Sequence, residues 1–239
     1  MKKILFLFFV CLACFSCTRL AMDIFIKDEP KLEVLQHNMT GKTLAFLPMT
    51  HIAKPKFYEQ VKFKVDSLRN EGFVIFYEGV SLTKENDLDS LQKDTLYRKI
   101  RKLMGFHLGH GYKEKENKSL PSAFRNTKKY INQTKKNTGI TDCDYKVDIP
   151  IDKLIKRFEE DRIKIKLNDC DWETGLYEKY NCDDSYENDY VVMQLRNEYI
   201  LERIRFSKQQ KIALVYGSGH FKRMQYELNS SGFKPIEKE

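Results

Sequence analysis

The stretch KIALVYGSGHFKRM, residues 211–224, contains the pattern that decides the fold. Its apolar run, Ile212–Tyr216, is typical of a short strand that is buried on both faces of a parallel sheet. Gly217-Ser218-Gly219 predicts a turn, and apolar residues then recur at helical spacing until Gly232. His220 is therefore expected at the carboxyl end of a buried strand and in the first turn of a helix. In open α/β sheets this edge is where ligands bind.

A second stretch, LAFLPMTH at residues 44–51, repeats the arrangement near the other end of the chain. An apolar run is followed by His51, and a helix is predicted to begin at Pro55, because proline is favoured at the first helical position. Two histidines that each follow a buried strand are harder to explain as structural residues than one. We therefore expect both at the ligand-binding edge of one sheet.

The composition is that of an ordinary soluble domain. The chain has 239 residues, of which 41% are hydrophobic and 32% charged, so it is long enough for one domain with a proper core. The net charge of +8 would indicate nucleic-acid binding only if the basic residues clustered on one ordered face. They are spread along the chain instead, so we expect no nucleic-acid partner.

The N-terminus resembles a bacterial lipoprotein signal. Residues 1–16 combine a basic start with an apolar core that is too short to span a membrane as a mature helix. Cys17 is the expected lipidation site, with Cys14 as the alternative. The pattern predicts a protein anchored by lipid to a membrane of the bacterial cell envelope. Residues 17–40 are expected to be a tether, with local helix around Pro30–Leu35.

Strands and helices alternate through residues 41–239, which predicts a single α/β domain with a mostly parallel central sheet flanked by helices. A Lys-rich insertion is expected near 113–137. The predicted strands are Thr43–Leu47, Phe73–Tyr77, Gly139–Asp144, Ile212–Tyr216 and an edge strand near Gly232–Pro235. The predicted helices are Pro55–Asn70, Asn86–Met104, Pro150–Lys166, Tyr190–Ser207 and one that follows His220. Outside the cytoplasm a disulfide between Cys170 and Cys182 is permitted, but the spacing does not decide whether it forms.

Polar side chains follow several of the predicted strands. His51, Glu78, His220 and one of Asp142 and Asp144 are expected at the same sheet edge, with Arg196 facing them from a helix. Imidazole nitrogens and carboxylate oxygens suit Zn²⁺, Mn²⁺ or a similar divalent ion, which would activate a bound water. Arg196 would stabilise a developing negative charge.

Four motifs together resemble the TraB/TIKI family, which includes the bacterial pheromone-shutdown proteins. They are PMTH (48–51), FYEGV (76–80), RN (196–197) and YGSGHFKRM (216–224). That family has two Gly-x-x-His motifs, a strand-end Glu and a helical Arg. Pro48 stands where the family has Gly, and Asp142 or Asp144 matches the family's third-strand acid only loosely.

The resemblance covers most of residues 42–233 and implies a cell-envelope hydrolase, with Mn²⁺- or Co²⁺-dependent proteolysis proposed in the family. It also implies the sandwich fold shared by the erythromycin esterases and the haem-binding lipoprotein ChaN. The substrate would be a peptide or another amide or ester.

Two further interpretations stay open at this point. A ChaN-like protein would bind haem or another ligand without turnover, and His107, His110 and Tyr112 would supply its ligands. A structural envelope lipoprotein would bind neither ion nor ligand. Within the enzyme interpretation, either a metal activates water, or a His–Glu pair acts directly as general base, as in the erythromycin esterases.

Overall fold

The computed structural model of the chain describes residues 29–83, 87–107, 112–114, 128–182 and 189–236. The expected signal peptide, Cys14 and Cys17 lie outside these residues, as does most of the Lys-rich insertion. In the part of the chain that is described, no helix is both long and apolar enough to cross a membrane.

A six-stranded mixed sheet lies at the centre of the described residues, in the strand order β6-β4-β7-β2-β1-β8. β6, β4, β7 and β2 are parallel, whereas β1 pairs antiparallel with both β2 and β8. β3 and β5 form a separate antiparallel ribbon. The strands are β1 (Glu33–His37), β2 (Thr43–Met49), β3 (Ile52–Ala53), β4 (Val74–Tyr77), β5 (Ile131–Asn132), β6 (Tyr145–Lys146), β7 (Lys211–Gly217) and β8 (Phe233–Pro235).

Helices cover both faces of this sheet. The helices are α1 (Pro55–Asn70), α2 (Ser90–Met104), α3 (Lys135–Thr138), α4 (Ile151–Asp161), α5 (Asp169–Glu173), α6 (Arg196–Phe206) and α7 (Ser218–Ser230). A π-helical segment, Asp189–Leu195, runs directly into α6. α1 packs on one face of the sheet, and α6 and α7 pack on the other. α2, α4 and the π-helical segment form a third apolar cluster beside them.

The position of β7 in the sheet explains why Ile212–Tyr216 is apolar throughout. Ala213 and Val215 lie in the cluster with α1, and Leu214 and Tyr216 lie in the cluster with α6 and α7. Both faces of the strand are therefore buried, as expected for the centre of a parallel sheet.

The position of β7 also brings three strand ends together. It lies between β2 and β4 and is parallel to both, with Met49 opposite Gly217 and Tyr77 opposite Val215. The carboxyl ends of the three strands therefore meet at one edge of the sheet. The predicted α/β architecture with a mostly parallel central sheet flanked by helices is confirmed.

Two of the predicted elements are wrong. The helix expected around Pro30–Leu35 is replaced by β1, which joins the sheet within the range expected for the tether and buries Leu35. The strand expected at Gly139–Asp144 is a helix end and a turn. Gly139 ends α3 with a left-handed backbone, and the Asp144 carboxylate accepts from the backbone N–H of Thr141, which favours a turn over a strand.

Three helix boundaries also differ from those predicted. α2 begins at Ser90, later than Asn86, because Asp89 caps it in a reciprocal hydrogen bond with Gln92. α4 ends at Asp161, before Lys166. The helix expected from Tyr190 is π-helical as far as Leu195. The edge strand near the C-terminus is confirmed as β8.

A disulfide joins Cys170 to Cys182, with their Cα atoms 5.6 Å apart. Two arginines of α2 hold the loop that it closes. Arg98 donates to the carbonyls of Asp171, Trp172 and Thr174, and Arg101 donates to those of Asp171, Thr174 and Gly175. The loop is thus fixed covalently at one place and by buried cation–carbonyl contacts at another.

The disulfide is expected to stabilise the fold. Replacing Cys170 and Cys182 together by Ser should lower the free energy of unfolding by about 2–3 kcal/mol, because a short cross-linked loop restricts the unfolded chain. Urea unfolding under oxidising conditions measures the change. Cys143→Ser is the matched control, because Cys143 is an exposed free thiol. Equal midpoints for the double variant and the wild type would contradict the expectation.

Candidate active site

A pocket of about 500 Å³ opens at the carboxyl ends of β2, β4 and β7. Its floor is formed by residues that directly follow those strands and by the first residue of α6. The apolar wall comes from α2, from the segment after it and from the π-helical segment. The lining residues are Met49, Thr50, His51, Glu78, Gly79, Val80, Met104, Phe106, Tyr112, Asn132, Gln133, Val192, Met193, Arg196, Gly217, Ser218, Gly219 and His220.

Arg196 is the most heavily bonded group of the floor. Its Nε donates to Asp148 Oδ1 at 3.0 Å and its Nη2 to Asp148 Oδ2 at 2.6 Å, so the Asp148 carboxylate is held through both oxygens. Nη2 also lies 2.6 Å from Glu78 Oε1 and 2.7 Å from the hydroxyl of Tyr216. Burial opposes the charge, but Asp148 and Glu78 outweigh it and raise the pKa of Arg196 above its usual value.

Glu78 is fixed through both of its oxygens. Oε1 accepts from Arg196, and Oε2 accepts from the backbone N–H of Gly217 at 2.8 Å. Burial opposes ionisation, but the charge of Arg196 outweighs it and holds the pKa of Glu78 below its usual value, with help from His51. Glu78 is therefore a carboxylate at neutral pH.

Gly217 allows this close approach. A Cβ at this position would lie 3.2 Å from Glu78 Oε2 and 3.4 Å from His220 Cδ2. Both side chains therefore lie against the same point of the backbone, and any larger residue would push them apart.

His220 is held as a neutral imidazole. Its Nδ1 lies 2.6 Å from Oδ1 of the buried Asn197, and its ring packs edge-on against Tyr216 with 4.7 Å between centroids. Burial, together with the nearby charge of Arg196, lowers the pKa of His220 to about 4. The ring is therefore uncharged at neutral pH and has a nitrogen that can accept a proton or a hydrogen bond.

His51 lines the same pocket and faces solvent. It is exposed and stacks on Tyr112, with 4.9 Å between the ring centroids and 27° between the planes. Its backbone carbonyl accepts from Gln133 N, which ties the segment after β2 to the β3–β5 ribbon. Burial raises the pKa of Tyr112 to about 12, so the phenol is neutral.

The structure brings His51, Glu78, Arg196 and His220 to this one pocket, whereas Asp142 and Asp144 do not line it. The expectation that either of the two aspartates joins the site is corrected. Asp142 is exposed and pairs with Lys135, and Asp144 pairs with Arg69.

Asp148 supplies the acid that the sequence interpretation assigned to Asp142 or Asp144. The short strand β6 starts later than predicted, so its first following acid is Asp148. Apolar and polar residues alternate through Tyr145–Ile149, just before the proline that precedes α4. This alternation is the signal that could have identified Asp148. Asn197 and Tyr216 belong to two of the quoted motifs, but neither was predicted as a site residue, and Tyr112 was expected only as a haem ligand.

His107, in the loop after α2, does not line the pocket. His107 is buried and packs between the rings of Tyr97 and Tyr177. His110 lies outside the described residues. The structure therefore does not bring His107, one of the suggested haem ligands, to the pocket.

Most of the candidate metal ligands are engaged in hydrogen bonds within the protein. Among the described residues, no group of three or more His, Cys, Asp or Glu side chains is arranged to hold one. Both oxygens of Glu78 already accept hydrogen bonds, and His220 Nδ1 is taken by Asn197. With Asp142 and Asp144 elsewhere, the expected ligand set is reduced to His51, Glu78 and His220.

Replacing Asp148 by Asn should lower the free energy of unfolding by about 3 kcal/mol, because Arg196 would lose half of its buried charge compensation. Chemical denaturation measures this loss. Asp142→Asn is the matched control, since its side chain is 98% exposed, and it should change stability by less than about 0.5 kcal/mol. If the two variants were equally stable, Arg196 would not depend on Asp148.

The neutral state of His220 should also make stability depend on pH. A histidine in the unfolded chain takes up a proton near pH 6.5, whereas folded His220 does so only near pH 4. Between these values the unfolded state binds more protons, so stability falls as the pH falls, by at most about 1.4 kcal/mol per pH unit from this group. Its contribution is constant above pH 7.

Thermal or urea unfolding of the wild type and of His220→Gln, from pH 8 to pH 5, tests this. The stability difference between the two proteins should change below pH 6.5 and stay level above it. Parallel curves over the whole range would show that His220 is not the responsible group.

Comparisons with protein-family models, with curated proteins and with solved structures each gave no match for this chain. The resemblance to the TraB/TIKI family therefore rests on the sequence motifs alone.

Proposed function

We propose that this chain is a hydrolase that cleaves a peptide or another amide or ester bond at the pocket. The observation that carries the proposal is the buried cluster of Arg196, Asp148 and Glu78, set beside the neutral His220 and the accessible His51. Functional sites are where burial and charge neighbours perturb pKa values most strongly. A purely structural ion pair would need neither an open pocket nor two histidines beside it.

His51 is the proposed general base. Its imidazole lines the pocket and is open to water, so it can take a proton from an attacking water molecule. A positive charge on His51 lowers the pKa of Glu78, which means that the two charges attract each other. Glu78 is therefore the proposed counter-charge while His51 carries the proton of the water, before His51 passes that proton to the leaving amine or alcohol.

Arg196 is the proposed stabiliser of the tetrahedral oxyanion. Its Nε and Nη2 are used by Asp148, Glu78 and Tyr216, but its Nη1 has no hydrogen-bond partner among the described residues. Because the other two nitrogens are fixed, Nη1 is held rigidly beside the pocket. A preorganised donor of this kind is worth about 2.7–4 kcal/mol of barrier lowering.

His220 completes the proposed set as a neutral hydrogen-bonding group. With Nδ1 taken by Asn197, its Nε2 is left for substrate or water. Its low pKa makes it a weak base at neutral pH, so it is better suited to orienting the attacking water than to storing the proton.

Three further parts of the proposal rest on the sequence. The fold is proposed to be the erythromycin esterase/ChaN-like sandwich, because its parallel strands carry the TraB/TIKI-like motifs at their carboxyl ends. The protein is proposed to reside in the bacterial cell envelope, held to the membrane by a lipid on Cys17 or Cys14. In the other version of the chemistry, a divalent ion such as Mn²⁺, Co²⁺ or Zn²⁺ would activate the water. His51, Glu78 and His220 are its candidate ligands at the pocket.

The haem-binding alternative is less well supported. Of the three ligands considered for it, His107 packs away from the pocket, and only Tyr112 lines it among the described residues. A Soret band on haem titration that is lost in Tyr112→Phe would nevertheless favour it.

Three variants test the hydrolase proposal. His51→Ala, Glu78→Gln and Arg196→Lys should each lower kcat/KM by about 100-fold or more, because each removes a base, its counter-charge or an oxyanion donor. Hydrolysis is measured against libraries of peptides and of simple amides and esters, and Asp142→Asn is the control that should keep full activity.

The same proteins are assayed for metal by elemental analysis. Bound metal in the wild type that is lost in His51→Ala and in His220→Ala would select the metal-dependent version. A wild type that hydrolyses none of the substrates would contradict the proposal.

A further inference from the structure

Asn197 and His220 form a buried pair beside the pocket. Asn197 is the second residue of α6 and is fully buried, and His220 lies in the first turn of α7. The two side chains meet through Asn197 Oδ1 and His220 Nδ1 at 2.6 Å. Both helices pack on the same face of the sheet, so the pair is held by the core and not by flexible loops.

The orientation of the Asn197 amide decides where the proton of a neutral His220 lies. Oδ1 can only accept, so His220 Nδ1 must carry the proton, and Nε2 is left with its lone pair. The opposite orientation would put the Asn197 NH₂ group against Nδ1 and would move the proton to Nε2. The same two residues could therefore make His220 either an acceptor or a donor at Nε2.

A second observation indicates that Asn197 is not present for stability alone. Its Nδ2 is buried and has no hydrogen-bond partner among the described residues. A buried donor without a partner is unfavourable, and an apolar residue of similar size would avoid it. This cost indicates that the Asn197 carbonyl is needed as a hydrogen-bond acceptor, which an apolar residue could not provide.

We infer that Asn197 is a positioning residue that selects the tautomer of His220 with the proton on Nδ1, so that Nε2 is kept as a hydrogen-bond acceptor for water or substrate at the pocket. The inference rests on the proposed function for its catalytic meaning, but the tautomer itself can be observed without any substrate. The choice is between two neutral forms, because the environment of His220 disfavours the imidazolium. The groups that set this environment are Arg196, Glu78, Asp148, His51 and Tyr216.

The test is long-range ¹⁵N–¹H NMR of the full chain at pH 8, which distinguishes protonated from unprotonated imidazole nitrogens. The chain has five histidines, and His220→Gln identifies the His220 signals by their loss. In the wild type Nδ1 should be protonated and Nε2 unprotonated. A proton on Nε2 with Nδ1 bare would overturn the inference, whatever the variants do.

Two variants separate positioning from packing. Asn197→Asp should keep the proton on Nδ1, because a carboxylate can only accept, whereas Asn197→Leu should lose the fixed tautomer while it retains the buried volume. Asn197→Leu should also lower kcat by about tenfold or more with KM within about twofold, as expected for a positioned group that acts in the transition state. An unchanged tautomer in Asn197→Leu would overturn the inference.

The experiments distinguish failure of the hydrolase proposal from failure of the inference about Asn197. If the wild type shows the expected tautomer but hydrolyses nothing, the assignment of Asn197 stands and the hydrolase proposal fails. If hydrolysis is found but Nε2 carries the proton, the hydrolase proposal stands and the role of Asn197 is rejected.

Discussion

A permanent positive charge is almost completely removed from water in this protein, and the pocket is arranged around it. Arg196 would be prohibitively costly to bury alone, so it requires carboxylates within contact distance. Asp148 follows β6 and Glu78 follows β4, and both meet the first residue of α6. The ion pairs therefore hold a helix and two strand ends in one relative position. Hydrogen bonds from Gly217 to Glu78 and from Arg196 to Tyr216 extend the same constraint to β7.

The strand order brings residues from distant parts of the sequence to this pocket. β7 is inserted between β2 and β4, although it comes last of the three in the chain. His51, Glu78 and His220 are consequently brought to one pocket, although the two histidines lie at opposite ends of the sequence. The lack of a side chain on Gly217 lets Glu78 and His220 lie against the same backbone, so the spacing of the charged and neutral groups is set by backbone geometry and not by flexible side chains.

The wall of the pocket depends on a different set of interactions. Met104 and Phe106 lie at the end of α2, and the arginines of that helix hold the loop closed by Cys170 and Cys182. Val192 and Met193 also line the pocket and come from π-helical turns, which are found often at functional sites. If the chain is the proposed hydrolase, an apolar wall and a charged floor fit a substrate that has an apolar group next to the cleaved bond.

The amino-acid sequence by itself determined the elements with strong local signals. The periodicity of hydrophobic residues predicted the buried strands around Phe46 and Leu214, and Pro55 marked the start of a helix. The same signals, with the glycines after the last strand, predicted the strand-end positions of His51, Glu78 and His220. Arg196 could be identified because a charge lies on an otherwise apolar helical face. Tertiary structure alone decided which acid pairs with it. β6 has only two paired residues, so the short alternation of Tyr145–Ile149 was not enough by itself to favour Asp148 over Asp142 and Asp144. The partnership of Asn197 with His220 likewise depends on how α6 packs beside α7, a long-range contact that no local pattern encodes.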